Sequence, residues 1–256
     1  MKIQDGIHLF HGDCLEVLKK LPDNSIDLVL ADPPYGKMAH GNRWDKIIDF
    51  DVLWAELSRI TKEKTPIVLF SQQPFASSLI NSNFSKFKYE WIWDKHISRG
   101  MQTAKFKPMV RHENILVFGE QGHNYFPIMI ERDKPIKRKA YPKDDTYFNG
   151  KNDGEYRTYT HKNPETILEG FWEKNRGKIH PTQKPISLLE YLIKTYSKEG
   201  DIVLDFCYGS NSCGVAAFNT KRKYIGIEKD DKFYEEGKNR LITHLSSSNG
   251  DNSSVS

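Results

Sequence analysis

Apolar positions along the chain fall into two rhythms. Short runs of Ile, Val, Leu, Phe and Tyr recur at Ile7 to Phe10, Ile26 to Ala31, Ile67 to Phe70, Ile115 to Phe118, Ile202 to Phe206 and Tyr224 to Ile227. Runs of that length and composition predict strands inside a sheet. Between them, Leu53, Leu57 and Ile60 share one helical face behind a cap at Asp51, and Leu188, Leu189, Leu192, Ile193 and Tyr196 share another. Pro185 suits the first turn of the second helix, where its missing amide is harmless, and Gly200 suits a left-handed stop before a strand opening at Asp201. Alternation of strand and helix predicts an α/β fold with a twisted, mainly parallel sheet.

Two stretches break the rhythm. Residues 86–111 carry Lys86, Lys88, Lys95, Arg99, Lys105, Lys107 and Arg111 against Glu90 and Asp94, interleaved with Phe87, Tyr89, Trp91, Trp93 and Phe106. That mixture predicts a basic, aromatic face, with Trp91 and Trp93 on one side of a strand. Residues 120–178 show neither period and are longer than loops inside compact domains usually run, so they are expected to form an insert with its own task. The Ser- and Asn-rich end, 246–256, is expected to be disordered.

Composition narrows the class. With 256 residues, 38% hydrophobic, the chain can fill one core with appendages, and a net charge of +4 leaves an anionic partner open. No apolar run approaches the roughly 20 residues of a membrane span, and Met1-Lys2-Ile3-Gln4-Asp5 lacks a signal-peptide core. Cys14, Cys207 and Cys213 are an odd set without metal-ligand spacing, which predicts neither a disulfide scaffold nor a metal site and fits a cytoplasmic protein.

Chemistry concentrates at Ala31-Asp32-Pro33-Pro34-Tyr35-Gly36, where a strand should end at the ligand-presenting edge of the sheet. The prolines stiffen the turn and remove donors, leaving carbonyl acceptors beside the Asp32 carboxylate with the Tyr35 ring next to them. A planar group with an exocyclic amine fits such a pocket; alone, the tetrapeptide would read as a rigid turn. It does not stand alone, because the strand before Asp205 runs into Phe206-Cys207-Tyr208-Gly209-Ser210-Asn211-Ser212 and a helix, and a second strand ends in Glu228. An acid about 20 residues beyond such a turn is placed to meet ribose hydroxyls, which predicts an adenosine-containing ligand.

With these two constellations the chain resembles the β group of DNA amino-methyltransferases, which use S-adenosylmethionine and carry the Asp-Pro-Pro-Tyr motif ahead of the donor loop, a permuted order. His11-Gly12-Asp13-Cys14, Arg111-His112-Glu113 and His180-Pro181-Thr182-Gln183-Lys184-Pro185 also resemble family segments. The resemblance implies a Rossmann-like methyltransferase domain with 1–119 as catalytic half, 120–178 as target-recognition insert and 179–245 as cofactor half. It implies catalysis by Asp32, Pro33, Pro34 and Tyr35, and donor binding by Asp13, Cys14, Asp32, Thr182, Lys184, Asp205, Phe206, Cys207, Gly209, Ser210, Asn211 and Glu228. Thr182 and Lys184 would hold the methionine carboxylate, and Asp205 would either touch the donor or orient the loop. The donor loop departs from the family pattern: Phe206 stands for proline, Cys207 for phenylalanine, Asn211 for glycine and Ser212 for threonine. Asn tolerates left-handed φ, so the turn is expected to survive with a side chain added near the ligand.

The function implied is site-specific methylation of adenine N6 in double-stranded DNA by direct displacement after base flipping, with no metal and no covalent intermediate. Lys95, Arg99, Lys105, Lys137, Arg138 and Lys139 are the expected DNA contacts. Cytosine N4 methylation and a catalytically impaired DNA-binding module are the alternatives. A homodimer and a cognate restriction endonuclease are partners the resemblance brings with it, in a type of protein found in restriction-modification.

Overall fold

The computed structural model describes residues 1–36, 46–139, 156–172 and 183–250. Two compact units divide the chain, Met1–Phe126 with Thr166–Ser256, and Pro127–Glu165. Strands in chain order are β1 (Lys2–Gln4), β2 (Ile7–His11), β3 (Leu28–Ala31), β4 (Ile67–Ser71), β5 (Phe87–Arg99), β6 (Val110–Phe118), β7 (Ile130–Lys139), β8 (Tyr156–Lys162), β9 (Ile167–Leu168), β10 (Ile202–Asp205) and β11 (Lys223–Glu228). Helices are α1 (Cys14–Leu18), α2 (Phe50–Ile60), α3 (Phe75–Ser82), α4 (Ile186–Tyr196), α5 (Ser212–Asn219) and α6 (Asp231–Gly250).

The larger unit holds a nine-stranded sheet in the order β1-β2-β11-β10-β3-β4-β6-β5-β9. From β2 through β4 every pairing is parallel, and β6 enters antiparallel to β4 and to β5. This is the mainly parallel α/β architecture that the alternation predicts. Because side chains alternate across a strand, β3 sends Leu28 and Leu30 into a core with α4 and α5, and Val29 and Ala31 into a core with α1, α2 and α3. Burial on both faces explains why the central strands read as unbroken apolar runs.

Local chemistry moves several boundaries. Ile26 is not in β3: it makes an isolated bridge to Thr61, and Asp27 turns its carboxylate onto the Ile202 amide (3.0 Å) before the strand begins at Leu28. The cap of α2 is Asp49, whose side chain accepts from the Val52 amide, and Asp51 lies inside the first turn. Pro185 sits at the N-cap of α4 rather than inside its first turn. At its other end α4 stops at Ser197, and Gly200, with φ 85°, serves the turn into β10 instead. Phe206 lies beyond β10, since Asp205 folds back to accept from the Cys207 amide (3.1 Å) and closes the strand.

The basic, aromatic stretch becomes β5, with Trp91 and Trp93 both buried on one face; Trp91 donates to the Tyr196 hydroxyl (2.6 Å) and Trp93 to the Phe171 carbonyl (3.0 Å). The smaller unit holds the β7–β8 hairpin, which the expectation of no strand period missed. Both its strands are largely exposed, so no buried face imposes an apolar alternation on the sequence. Ile167 and Leu168, also within 120–178, pair with Ile92 and Trp93 of β5 in the larger unit. Helix α6 runs to Gly250, past residue 246 where the disordered tail was expected, and 251–256 lie outside the described residues. Among the described residues no helix is long and apolar enough to cross a membrane.

Candidate active site

The parallel strands β3, β10 and β11 end at one edge of the sheet, and there Asp32, Asp205 and Glu228 follow or close them. From β10 the chain continues through α5 to β11 on one side; from β3 it continues through α2 to β4 on the other. Such a reversal between neighbouring strands opens a crevice at their carboxyl ends. A cavity of about 580 Å³ lies there, lined by Asp32, Pro33, Pro34 and Tyr35 together with Asp205, Cys207, Gly209, Ser210 and Glu228. Its walls also include Phe70, Lys95, Arg99, Glu113, Gln183, Lys184 and Phe233.

Asp32 uses both of its carboxylate oxygens. Tyr35 donates its hydroxyl to Oδ1 (2.6 Å) and Lys184 donates to Oδ2 (2.7 Å). The Tyr35 ring stacks on Phe75 at 5.0 Å, and burial, then the charge of Asp32, raises its phenol well above the ordinary range, so it is a neutral donor at any working pH. Lys184 also lies 3.1 Å from Glu113, which is ion-paired with Lys95. Burial opposes the Lys184 ammonium, but the charges of Asp32 and Glu113 outweigh it and hold its pKa above the usual lysine range. Burial likewise works against the Glu113 carboxylate, and Lys184 and Lys95 reverse it, keeping that carboxyl below its ordinary value.

The side of the cavity formed by Asp205, Gly209, Ser210 and Glu228 is acidic and less neutralised. Asp205 is buried, and desolvation pushes its pKa up to about 8 against hydrogen bonds from the Cys207 amide and the Cys213 thiol; the charges of Asp32 and Glu228 push the same way as desolvation. Glu228 accepts from the amides of Gly209 (2.9 Å), Lys229 (2.8 Å) and Asp230 (2.8 Å), while burial raises its pKa above that of an ordinary glutamate. Burial pushes the Cys14 thiol up to about 12 and raises Cys207 and Cys213 well above the thiol range, which disfavours the thiolate at all three.

Not all of the expected residues meet in the cavity. Asp13 caps α1 and pairs with Lys229 (2.9 Å), and neither it nor Cys14 is in the lining. Phe206 is buried in the α1–α3 core. Asn211 takes φ 57°, the left-handed turn expected of it, but it is not in the cavity lining. It is fully buried, donates to the Gly237 carbonyl (3.3 Å), and lies where any Cβ on Gly214 would collide with its Oδ1. Thr182 lies outside the described residues, as do His180 and Pro181. Lys184, expected on a methionine carboxylate, bridges Asp32 and Glu113. Lys95 and Arg99 line the cavity, Lys105 is exposed beyond β5, and Lys137, Arg138 and Lys139 are exposed on β7 of the smaller unit. Glu113 was named only within a segment and given no role; a carboxylate entering the apolar strand Ile115 to Phe118 was the available signal.

Among the described residues no group of three or more His, Cys, Asp or Glu side chains is placed to hold a metal ion. The cavity volume falls within the range of small-ligand sites, and Asp205 and Glu228 give one end a preference for hydroxyls and positive charge.

Comparison with known proteins gives this crevice a family. The chain is 32% identical to the DNA adenine methyltransferase YhdJ of Escherichia coli (strain K12), over 91% of this chain and 82% of that one. Among solved structures, the M1.HpyAVI–SAM complex matches with a TM-score of 0.61 at 21% identity, over 92% of this chain and 100% of the other. The PvuII DNA methyltransferase, described as cytosine-N4-specific, matches with a TM-score of 0.62 at 16% identity, over 93% and 90%. At those identities the two structures speak for the fold. The family model described as DNA methylase, for N6 and N4 enzymes, matches residues 26–239, and the chain belongs to that family of DNA methyltransferases.

Proposed function

We propose that the protein methylates the exocyclic N6 amine of adenine in double-stranded DNA, with S-adenosylmethionine as methyl donor. The observation that carries this reading is the placing of Asp32, held by Tyr35 and Lys184, in one cavity with the Asp205 and Glu228 end. When bound, the donor supplies an electrophilic methyl carbon on a sulfonium. Glu228 suits the ribose hydroxyls, and the carboxyl of Asp205 suits the positive end. Asp32 and the Pro33 carbonyl accept the hydrogens of the target amine, Tyr35 offers a ring face to the flipped base, and the carboxylate disperses charge that grows on nitrogen during displacement. Flipping costs a few kcal/mol, offset by stacking and these hydrogen bonds. Lys105 and Arg99 in the larger unit and Lys137, Arg138 and Lys139 in the smaller one serve the phosphate backbone in this reading.

Adenine is favoured over cytosine by the 32% identity to an adenine enzyme and by Asp at position 32. Asn211 keeps the left-handed turn and packs away from the cavity, which supports a working loop over the impaired-binder alternative. Transfer of a labelled methyl group to DNA lacking adenine methylation, followed by nucleoside digestion and mass spectrometry, tests the reading. Labelled N6-methyladenine is the expected product; labelled N4-methylcytosine, or donor binding with no transfer to any DNA, would overturn it.

Donor binding should depend on pH through Asp205. Its carboxyl is protonated in the free protein below about 8, and a bound sulfonium favours the ionised form, so binding releases a proton. Affinity should therefore tighten as pH rises, by up to ~10-fold per unit, and level off above the free-state pKa. Calorimetry in buffers of different ionisation heat measures the released proton. Asp205→Asn should remove that part of the release, and an unchanged release in the variant would refute the assignment.

A further inference from the structure

A cluster of four charged side chains, Asp32, Lys184, Glu113 and Lys95, lies on the Asp32 side of the cavity. Lys184 is buried, with its side chain 8% exposed, and its ammonium stands between Asp32 (2.7 Å) and Glu113 (3.1 Å). Glu113 is equally buried, 9% exposed by side chain, and its other oxygen takes Lys95. The Phe70 ring lies 4.9 Å from the Lys184 ammonium and walls it from solvent. Charges removed from water to this degree are costly unless paired, and an arrangement that keeps four of them together fixes their geometry tightly. β6 carries Glu113 to this edge because it runs antiparallel to β4: Asn114 pairs with Ser71, so Glu113 projects just beyond the end of β4.

We infer that Glu113, acting through Lys184, is a positioning residue for Asp32, and that Lys184 serves the target-amine side of the cavity rather than the methionine end of the donor. The inference rests on Asp32 being the acceptor of the target amine. Asp32 has two neighbours that set its orientation: the Tyr35 hydroxyl on Oδ1 and the Lys184 ammonium on Oδ2. Tyr35 belongs to the same short turn and moves with it, whereas Lys184 arrives from the segment leading into α4, so it ties the turn to an independent element. A lysine on a four-carbon stem has no fixed direction of its own. Glu113 supplies that direction from β6, and Lys95 neutralises the charge left over on Glu113, which gives Lys95 a task inside the cavity wall rather than on phosphate.

The test separates turnover from donor affinity. Glu113→Gln and Lys184→Met should each lower kcat by about tenfold or more while the donor dissociation constant, measured by calorimetry, stays within about threefold; Lys184→Arg should recover part of the loss seen with Met. Thermal unfolding of each variant identifies any that fails to fold, and Glu113→Gln, which keeps shape and acceptor, is the conservative member. The proposal is overturned if Lys184→Met weakens donor binding about tenfold with kcat at saturating donor unchanged, or if Glu113→Gln turns over within about twofold of the parent. Should the parent protein methylate no DNA, the functional reading fails separately. Crystal structures of the parent and of Glu113→Gln then decide the positioning claim: Asp32 displaced from Lys184 in the variant supports it, and Asp32 still hydrogen-bonded to Lys184 in the same orientation overturns it.

Discussion

Replacing Asp32 with Ala is expected to lower turnover by about 10²–10³, as for removal of one pre-aligned electrostatic group, and to leave donor affinity within a few-fold. Asp32 is the only carboxylate in the described cavity lining that carries the Tyr35 hydroxyl, and it stands at the end of β3, away from the loop Glu228 anchors. Its loss should therefore fall on kcat and not on the donor dissociation constant. The alanine also strips one partner from the buried Lys184 ammonium, and a buried charge left with no partner destabilises proteins by roughly 3–5 kcal/mol. Glu113 remains 3.1 Å away, so the folded state should survive with a lowered melting temperature. Asp32→Asn is the cleaner comparison. It preserves shape and can still accept from Tyr35, but it must turn either an amide or a lone carbonyl towards Lys184, and it cannot disperse positive charge on the amine. Both variants should bind donor and both should fail at transfer. Turnover within about threefold of the parent in either one would remove Asp32 from the chemistry.

The strand runs and the two motif-bearing loops were legible because each answers to a local rule. Double burial demands continuous apolar residues, as in Val203, Leu204 and Ile227, and a loop at the end of such a strand announces itself by proline, glycine and an acid. Legibility ended where an element answers to distant residues. Nothing near Ile26 in the chain says that Asp27 will accept from Ile202, so the start of β3 is set by a partner 175 positions away. The β7–β8 hairpin has no buried face to print a pattern, and Arg138 opposite Arg157 looks like loop composition. The same limit hid the role of Glu113. Its segment stood out, but the chain does not say that β6 is antiparallel, and only that reversal brings the carboxylate to the edge where Asp32 and Lys184 meet. Asn211 shows the complementary case: its left-handed φ was readable from residue type, whereas the direction of its side chain depends on Gly214 and Gly237 being glycine.

Glu228→Ala should act on the opposite half of the cavity and chiefly on affinity. One carboxylate holds the Gly209 amide from the donor loop and the Lys229 and Asp230 amides beyond β11, at 2.8–2.9 Å. Each hydrogen bond to a charged group contributes about 1.5–3 kcal/mol, so truncation both frees the loop and removes the proposed ribose acceptor. Losing two such contacts corresponds to a donor dissociation constant weaker by roughly 10²–10⁴. Turnover at saturating donor should fall only a few-fold, because the Asp32 cluster is untouched, and this reverses the pattern expected for Asp32. Glu228→Gln should recover little: its carbonyl can satisfy one set of amides, but its NH2 would face another donor. Acid should mimic the variant. Burial raises the Glu228 pKa, so its protonation and the affinity lost with it begin at a higher pH than an ordinary glutamate would give, and Glu228→Ala should keep only the pH dependence that belongs to Asp205. Calorimetric titration of donor into parent and variants across pH reads all of this. A Glu228→Ala protein that is folded and binds donor within about threefold of the parent would mean that the carboxylate serves the loop alone, and that the ribose is held elsewhere.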